Sequence, residues 1–411
     1  MRYGYVTSEE VPVRGEIKVV PEDFRVEEIP AYAPSGTGSH VFFLVEKRGI
    51  ATFEAIRRLA RALERNEEEF GYAGLKDARA VTRQIVSIEN EPPERILSLD
   101  LPDLRIEWAE RHGHKLRIGH LRGNRFTIRV RRTRHADLSR VRRVLERLSR
   151  VGVPNYYGPQ RFGVDGRGVE LGRDLVRRDR KAFLDRFLGS AEPGDPALLA
   201  TARARYRHGD FEGAAECAPS RSGDVARALQ ALAGSGGDVD VGVEAVSLRM
   251  RQLFVSSFQA HLFNRVLSKR IDTLCSVEEG DVAFVHESGA CFVVEDAASE
   301  RGRAGSFEIS PSGPIVGWKL LRGFGRPRAI EDEVFEGEGV RPESFRDLGL
   351  GLHQKGIRRS LRIRLEEARA DWWEGVLILA FALPKGSYAT TVVEEILKTR
   401  WNGGDRRGTG T

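Results

Sequence analysis

The chain returns to strand-forming sequence near its far end, and that return constrains the fold more than any other feature. Roughly the first 150 of its 411 residues are strand-rich, and a helical texture begins near residue 180. Strand character then resumes at Ser360 and ends in the apolar run Val376-Leu-Ile-Leu-Ala-Phe-Ala-Leu383. An order of β-rich, helical, β-rich reads as an insertion: the two chain ends pair in one sheet, and a helical domain sits between them in sequence. At about 150 residues per domain the length agrees with two or three domains.

Periodicity supplies the elements. Gly15–Val20 and Phe24–Ile29 alternate as strands, and His40–Val45 is a more continuous apolar run. Thr52 is placed to cap a helix running to about Arg65, with Phe53, Ile56, Leu59, Ala60 and Leu63 on one face. Val81–Ile88 reads as another strand, and Asp137–Arg150 as a basic amphipathic helix. In Arg125–Arg131, Phe126, Ile128 and Val130 point one way and Arg125, Thr127, Arg129 and Arg131 the other. Seven arginines and no acid lie between Arg117 and Arg134. Either a charged strand edge guarded against aggregation or a phosphate-contacting surface fits that pattern. Val246–Arg270 is the clearest helix, with Met250, Leu253, Phe254, Phe258, Leu262 and Val266 as a core stripe. Ser387 or a neighbour caps a last helix to about Arg400, and 402–411 reads as a Gly-rich flexible tail.

Composition excludes several classes. The eight-residue run ending at Leu383 is the longest apolar one, far short of the roughly 20 residues that span a bilayer. Residues 1–12 lack the apolar core of a signal peptide. Cys217, Cys275 and Cys291 are widely spaced and form no metal or disulfide pattern, as expected of a reducing cytoplasm. His112, His114 and His120 lie close in sequence, but no nearby acid completes a metal set. No phosphate-binding G-x-x-x-x-G-K-[ST] loop and no G-x-S-x-G nucleophile elbow is present. The motifs thus point to neither a metal nor a cofactor. The net charge of +6 weakly favours a polyanionic partner.

Three turn-like segments concentrate chemistry. Gly71–Gln84 sets one carboxylate, Asp77, among Lys76, Arg79 and Arg83. Cations around a carboxylate favour its ionised form, which suits a nucleophile or general base as well as a surface ion pair. Pro154–Gly163 combines the amides of Asn155 and Gln160 with the rings of Tyr156, Tyr157 and Phe162. Such a set can read and stack a base or plug a turn into the core. Leu383–Thr391 is a strand-to-helix turn that carries Tyr388.

Together with Pro21-Glu-Asp-Phe24, these segments resemble the tRNA pseudouridine synthase D (TruD) family. The matching motifs are Ala73-Gly-Leu-Lys-Asp-Ala-Arg-Ala-Val-Thr-Arg-Gln84, Asn155-Tyr-Tyr-Gly-Pro-Gln-Arg-Phe-Gly163 and Leu383-Pro-Lys-Gly-Ser-Tyr-Ala-Thr-Thr391. Ser257-Phe-Gln-Ala-His-Leu-Phe-Asn264 and Ile309-Ser-Pro-Ser-Gly-Pro314 are also family-like, and the order is the family's. The long middle segment looks like that of archaeal or eukaryotic members.

The resemblance implies an α+β fold: a pseudouridine-synthase catalytic domain whose mixed sheet is formed by both chain ends, with an inserted, largely helical TRUD domain. The expected boundaries are 1–165 and 363–401 for the catalytic domain and 166–362 for the insertion. It also implies that Asp77 is the catalytic aspartate and that Phe24, Asn155, Tyr157 and Tyr388 line the uridine pocket. Lys18 and Lys76 are carried as further substrate contacts, and Arg125, Arg129 and Arg131 as phosphate contacts. Many members have Phe where Tyr157 and Tyr388 stand, a change that keeps stacking and adds a hydroxyl. The implied partner is tRNA, with uridine 13 as target, for a cytoplasmic monomer. Two other readings stay open: an RNA-binding protein without catalysis, and a synthase acting on another RNA.

Overall fold

The computed structural model describes residues 3–163, 166–191, 195–349 and 351–399. The tail expected at 402–411 lies outside them. The chain divides into two compact units: one of Tyr5–Asn155 with the stretch from Ile363 onward, the other of Tyr156–Arg362 with residues 3 and 4.

The first unit is built on a mixed eight-stranded sheet. Its strands are β1 (Phe24–Pro30), β2 (His40–Arg48), β3 (Gly71–Tyr72), β4 (Val81–Glu89), β5 (Leu104–His112), β6 (Leu121–Val130), and the C-terminal hairpin Glu366–Trp373 and Val376–Pro384. The hairpin leads the spatial order, followed by β6, β1, β4, β2 and β5, with β3 added on β4. Only β1 and β4 run parallel. The apolar strand Val376–Pro384 pairs with β6 from Leu377↔Val130 to Pro384↔Gly123, so both chain ends meet in one sheet.

Helix α1 (Thr52–Leu63) covers one face. Its Ala55, Ile56, Leu59 and Leu63 pack on Val41, Phe43, Val45, Val86 and Ile88. Burying each large aliphatic side chain contributes about 1.5–3 kcal/mol. Phe53, expected on that face, is instead exposed and meets Tyr72 edge-on at 6.2 Å. Thr52 does not cap the helix; it is the first helical residue, and its hydroxyl is used elsewhere. The last helix, Ala389–Leu397, is capped at Tyr388 with no side-chain bond. Buried Glu395 on that helix accepts from the backbone of Val6 and Thr7, which ties the N-terminal segment to this unit.

One expectation fails here for a local reason. Gly15–Val20 makes only one bridge, Glu16↔Arg131, because Lys18 takes a left-handed φ of 57° and turns the chain out of the sheet. β5, at the edge of the sheet, carries no expectation above, although Leu104, Ile106 and Trp108 alternate with Arg105 and Glu107 as in a half-buried strand.

The second unit centres on the helix Leu248–Lys269, against which Arg167–Val176 packs. The contact needs Gly172: a Cβ there would collide with the carbonyl of Phe254. Phe258, Leu262 and Val266 are buried as the stripe requires, while Leu253 turns out to solvent. Ile309–Ile315 joins Ile357–Ser360, Val282–Val285 and Cys291–Val293 in a four-stranded sheet.

Candidate active site

The segment between β3 and β4 carries Asp77, and neighbouring elements grip its backbone at four points. The amide of Lys76 donates to the Thr52 hydroxyl at 3.0 Å. That hydroxyl donates to Gln84 at 3.1 Å, and the Gln84 amide reaches the carbonyl of Gly74 at 3.4 Å. The ammonium of Lys47 donates to the carbonyls of Asp77 at 2.9 Å and Ile50 at 2.6 Å. Further on, Gly49 N–H donates to Ala80 O at 3.1 Å. A loop so tied loses little entropy when a partner engages it.

The Asp77 side chain is open to solvent. It is 51% exposed, and Oδ2 accepts from Lys18 Nζ at 2.7 Å. The left-handed turn that removed Lys18 from the sheet delivers this contact. The same ammonium lies 4.0 Å from the centre of the Phe24 ring, a cation–π contact. Phe24 is buried and meets Phe126 edge-on. Asp23 fixes the turn between them: fully buried, it accepts two bonds from Arg131 at 2.8 and 2.9 Å and one from Val20 N–H at 3.1 Å. The Pro-Glu-Asp-Phe motif therefore positions Lys18 and Phe24.

Lys76 has its ammonium buried on Glu28 at 2.7 Å. Asn155 is buried at the end of this unit, and Tyr388 is half-buried where the last helix begins. Nearby, Lys385 anchors its turn to Arg122 O and Gly119 O, each at 3.0 Å. Tyr157 belongs to the other unit. There its backbone N–H and C=O are both bonded by the Asn264 side chain, and its ring meets Phe263 edge-on and the Arg359 guanidinium at 4.4 Å. The family-like Ser257–Asn264 segment thus holds the Tyr157 turn.

The arginines of β6 divide. Arg125 is paired with Glu367 at 2.8 and 3.0 Å and Arg131 with Asp23, whereas Arg129 is exposed and makes no ion pair among the described residues. The expected basic face is partly neutralised. His112 and His114 meet at 3.2 Å and Tyr32 bonds His120 at 2.6 Å, yet no group of three or more His, Cys, Asp or Glu among the described residues is placed to hold a metal ion. No helix among them is long and apolar enough to cross a membrane.

Sequence reasoning missed Lys47, Thr52, Glu28 and Asp23. For Lys47 a signal existed: it shares strand parity with Val41, Phe43 and Val45, so β2 carries it inward.

Comparison with known proteins identifies the family. The family described as tRNA pseudouridine synthase D (TruD) matches residues 2–396. A tRNA pseudouridine synthase D of Geobacter sp. (strain M21) is 43% identical over 400 residues, covering 96% of this chain and 99% of that protein. One from Geobacter metallireducens is 44% identical over 394 residues, covering 96% and 97%. A crystal structure from Methanosarcina mazei, described as tRNA pseudouridine synthase D, superposes with a TM-score of 0.86 at 26% identity, covering 97% of this chain and 96% of that one. Chains of matching length thus occur in both Geobacter and Methanosarcina, so the length of the middle segment carries no lineage information. The chain belongs to the tRNA pseudouridine synthase D (TruD) family of isomerases.

Proposed function

We propose that this chain isomerises a uridine of tRNA, uridine 13 by the family resemblance, to pseudouridine, with Asp77 as the reacting carboxylate. The N1–C1′ bond breaks, the uracil turns, and C5 bonds to C1′ while the C5 hydrogen leaves to solvent and N1 gains a proton. No atom of the base is lost except that exchanged hydrogen. The observation that carries the reading is the half-exposed Asp77 carboxylate at 2.7 Å from Lys18 on a loop held at its backbone.

Lys18 donates a charge-assisted hydrogen bond that orients the carboxylate. That carboxylate either attacks C1′ or takes the C2′ proton to give a glycal. The uridine must leave its stack to reach it. Half-buried Tyr388 supplies stacking surface that offsets part of that cost; Phe24 and Asn155 are buried, so their contact with the base requires the site to open. Lys76 contributes by holding the loop on Glu28. For Tyr157, contact with the substrate is a separate proposal, tested by Tyr157→Leu. Arg129 is the foremost phosphate contact on β6; Arg125 and Arg131 would first have to leave their carboxylates. The catalytic unit would be the one formed by both chain ends, with 166–362 as the insertion.

The test is tritium release from a tRNA transcript carrying [5-³H]uridine, followed by mapping of the product. Release with pseudouridine at position 13 is expected. Tight tRNA binding without release from any transcript would favour an RNA-binding protein, and release with the product elsewhere would move the target.

A further inference from the structure

Lys47 is a buried cation without a counterion. Its residue is 1% exposed, and among the described residues no carboxylate lies within ion-pair distance of its ammonium. Lys76 on Glu28, Arg203 on Asp195 and Arg270 on Asp281 are buried cations with a carboxylate partner, whereas buried Arg251, like Lys47, makes no ion pair among the described residues. Drying an ammonium without a partner charge is costly, and an aliphatic side chain would fill the site at no such cost. Burial accordingly pushes the Lys47 ammonium down to about 8, against the attraction of Asp77 and with help from the repulsion of Lys76.

What the ammonium holds gives the burial a purpose. Its two acceptors are Ile50 O, at the entry to α1, and the backbone carbonyl of Asp77. It therefore links strand β2, the start of α1 and the reactive residue through one atom. Lys18 grips the Asp77 carboxylate from the other side. We infer that Lys47 is a positioning residue for the isomerisation, holding the Asp77 backbone so that its carboxylate meets Lys18 and the substrate in one orientation. The inference rests on the reading of Asp77 as the reacting group.

The clamp is strongest while the amine is protonated, so activity should fall as pH rises through the Lys47 value. The charged groups facing it are Asp77 and Lys76. The cross-strand neighbours, Thr82 on β4 and Leu104 on β5, carry no charge, and the first turn of α1 carries Glu54, which is paired with Arg57 and Arg58.

The experiment compares wild type with Lys47→Met by tritium release across pH. The expected result is a kcat lowered by about 10- to 100-fold, the scale of a small misplacement of a reacting group, with KM changed less than about threefold. Wild-type kcat should decline above about pH 8, and the variant should lose that limb; titration of the uridine imide is common to both. Lys47→Arg, which keeps charge and donors, should recover part of the loss. A folded Lys47→Met protein with kcat within about twofold of wild type would overturn the inference, as would an alkaline limb unchanged by the substitution. If the Met variant fails to fold, Lys47→Gln, which keeps one donor, is read by the same criteria. Full activity of Asp77→Asn would instead sink the reading of Asp77, whatever Lys47 does.

Discussion

Two carboxylates of this protein are held by cations to opposite ends. Glu338, in the helical unit, is buried and ringed by His261 at 2.9 Å, Arg265 at 2.6 Å and Arg173 at 2.8 Å, which hold its carboxyl down at about 2. Asp77 has one ammonium on one oxygen and stands half exposed. The first arrangement is closed, with both oxygens engaged and no room for a reacting atom. The second leaves an oxygen open and spends its constraints on the backbone instead. A strongly lowered carboxyl can thus be one that is closed to any partner, which shows why perturbation alone identifies a catalytic residue poorly.

The comparison breaks most readily at Lys18. Lys18→Met should lower tritium release by about 100-fold or more, since the carboxylate loses its orienting charge. It should leave stability within about 1 kcal/mol, because a pair with a half-exposed partner contributes little. Chemical denaturation beside the activity assay checks both. Comparable losses of stability and activity would make Lys18 structural, as Glu338 is.

Glu338→Gln should do the reverse. Breaking this network is expected to cost about 2–3 kcal/mol, below the range for wholly buried pairs because Arg173 and Arg265 are partly exposed. Turnover per folded molecule should stay within about threefold. The sign of the pH dependence follows. The Glu338 value is lower folded than unfolded, so its stabilisation is present above the ordinary carboxylate value of 4.5 and is lost as pH falls from there towards about 2. The stability gap between wild type and Glu338→Gln, measured by urea unfolding, should therefore narrow between pH 5 and pH 3.

What the sequence showed follows the same division. Asp77 stood out as a candidate because one carboxylate sits among three cations in a turn, but its proposed catalytic role came from the family resemblance. The return strand was legible because eight apolar residues in a row leave few places to go. The means of holding Asp77 were not. Lys18 sits in a segment that alternates like a strand, and only its positive φ reveals that the chain turns there. Thr52 reads as a helix cap, yet its hydroxyl serves the amide of Lys76, a partner 24 residues away. Arg125 and Arg129 are identical in the alternating pattern, and only Glu367, on the outer strand of the C-terminal hairpin, separates them. Each of these depends on a contact between distant segments, which periodicity does not encode.

That last difference yields the smallest expected effect. Arg129→Ala should weaken tRNA binding and reduce the slope of log K against log salt by about 0.7–0.9, the value for one lost phosphate contact. Arg125→Ala, which removes a cation already paired, should change that slope by less. Equal effects would show that the Glu367 pair opens to admit RNA.

The central claim, that the open carboxylate does the chemistry, is tested most directly by Asp77→Asn. Tritium release from [5-³H]uridine-labelled tRNA would be followed with enzyme in excess, beside circular dichroism and a tRNA-binding titration. The account predicts a folded, tRNA-binding protein with no release above background. Release at the wild-type rate would contradict it.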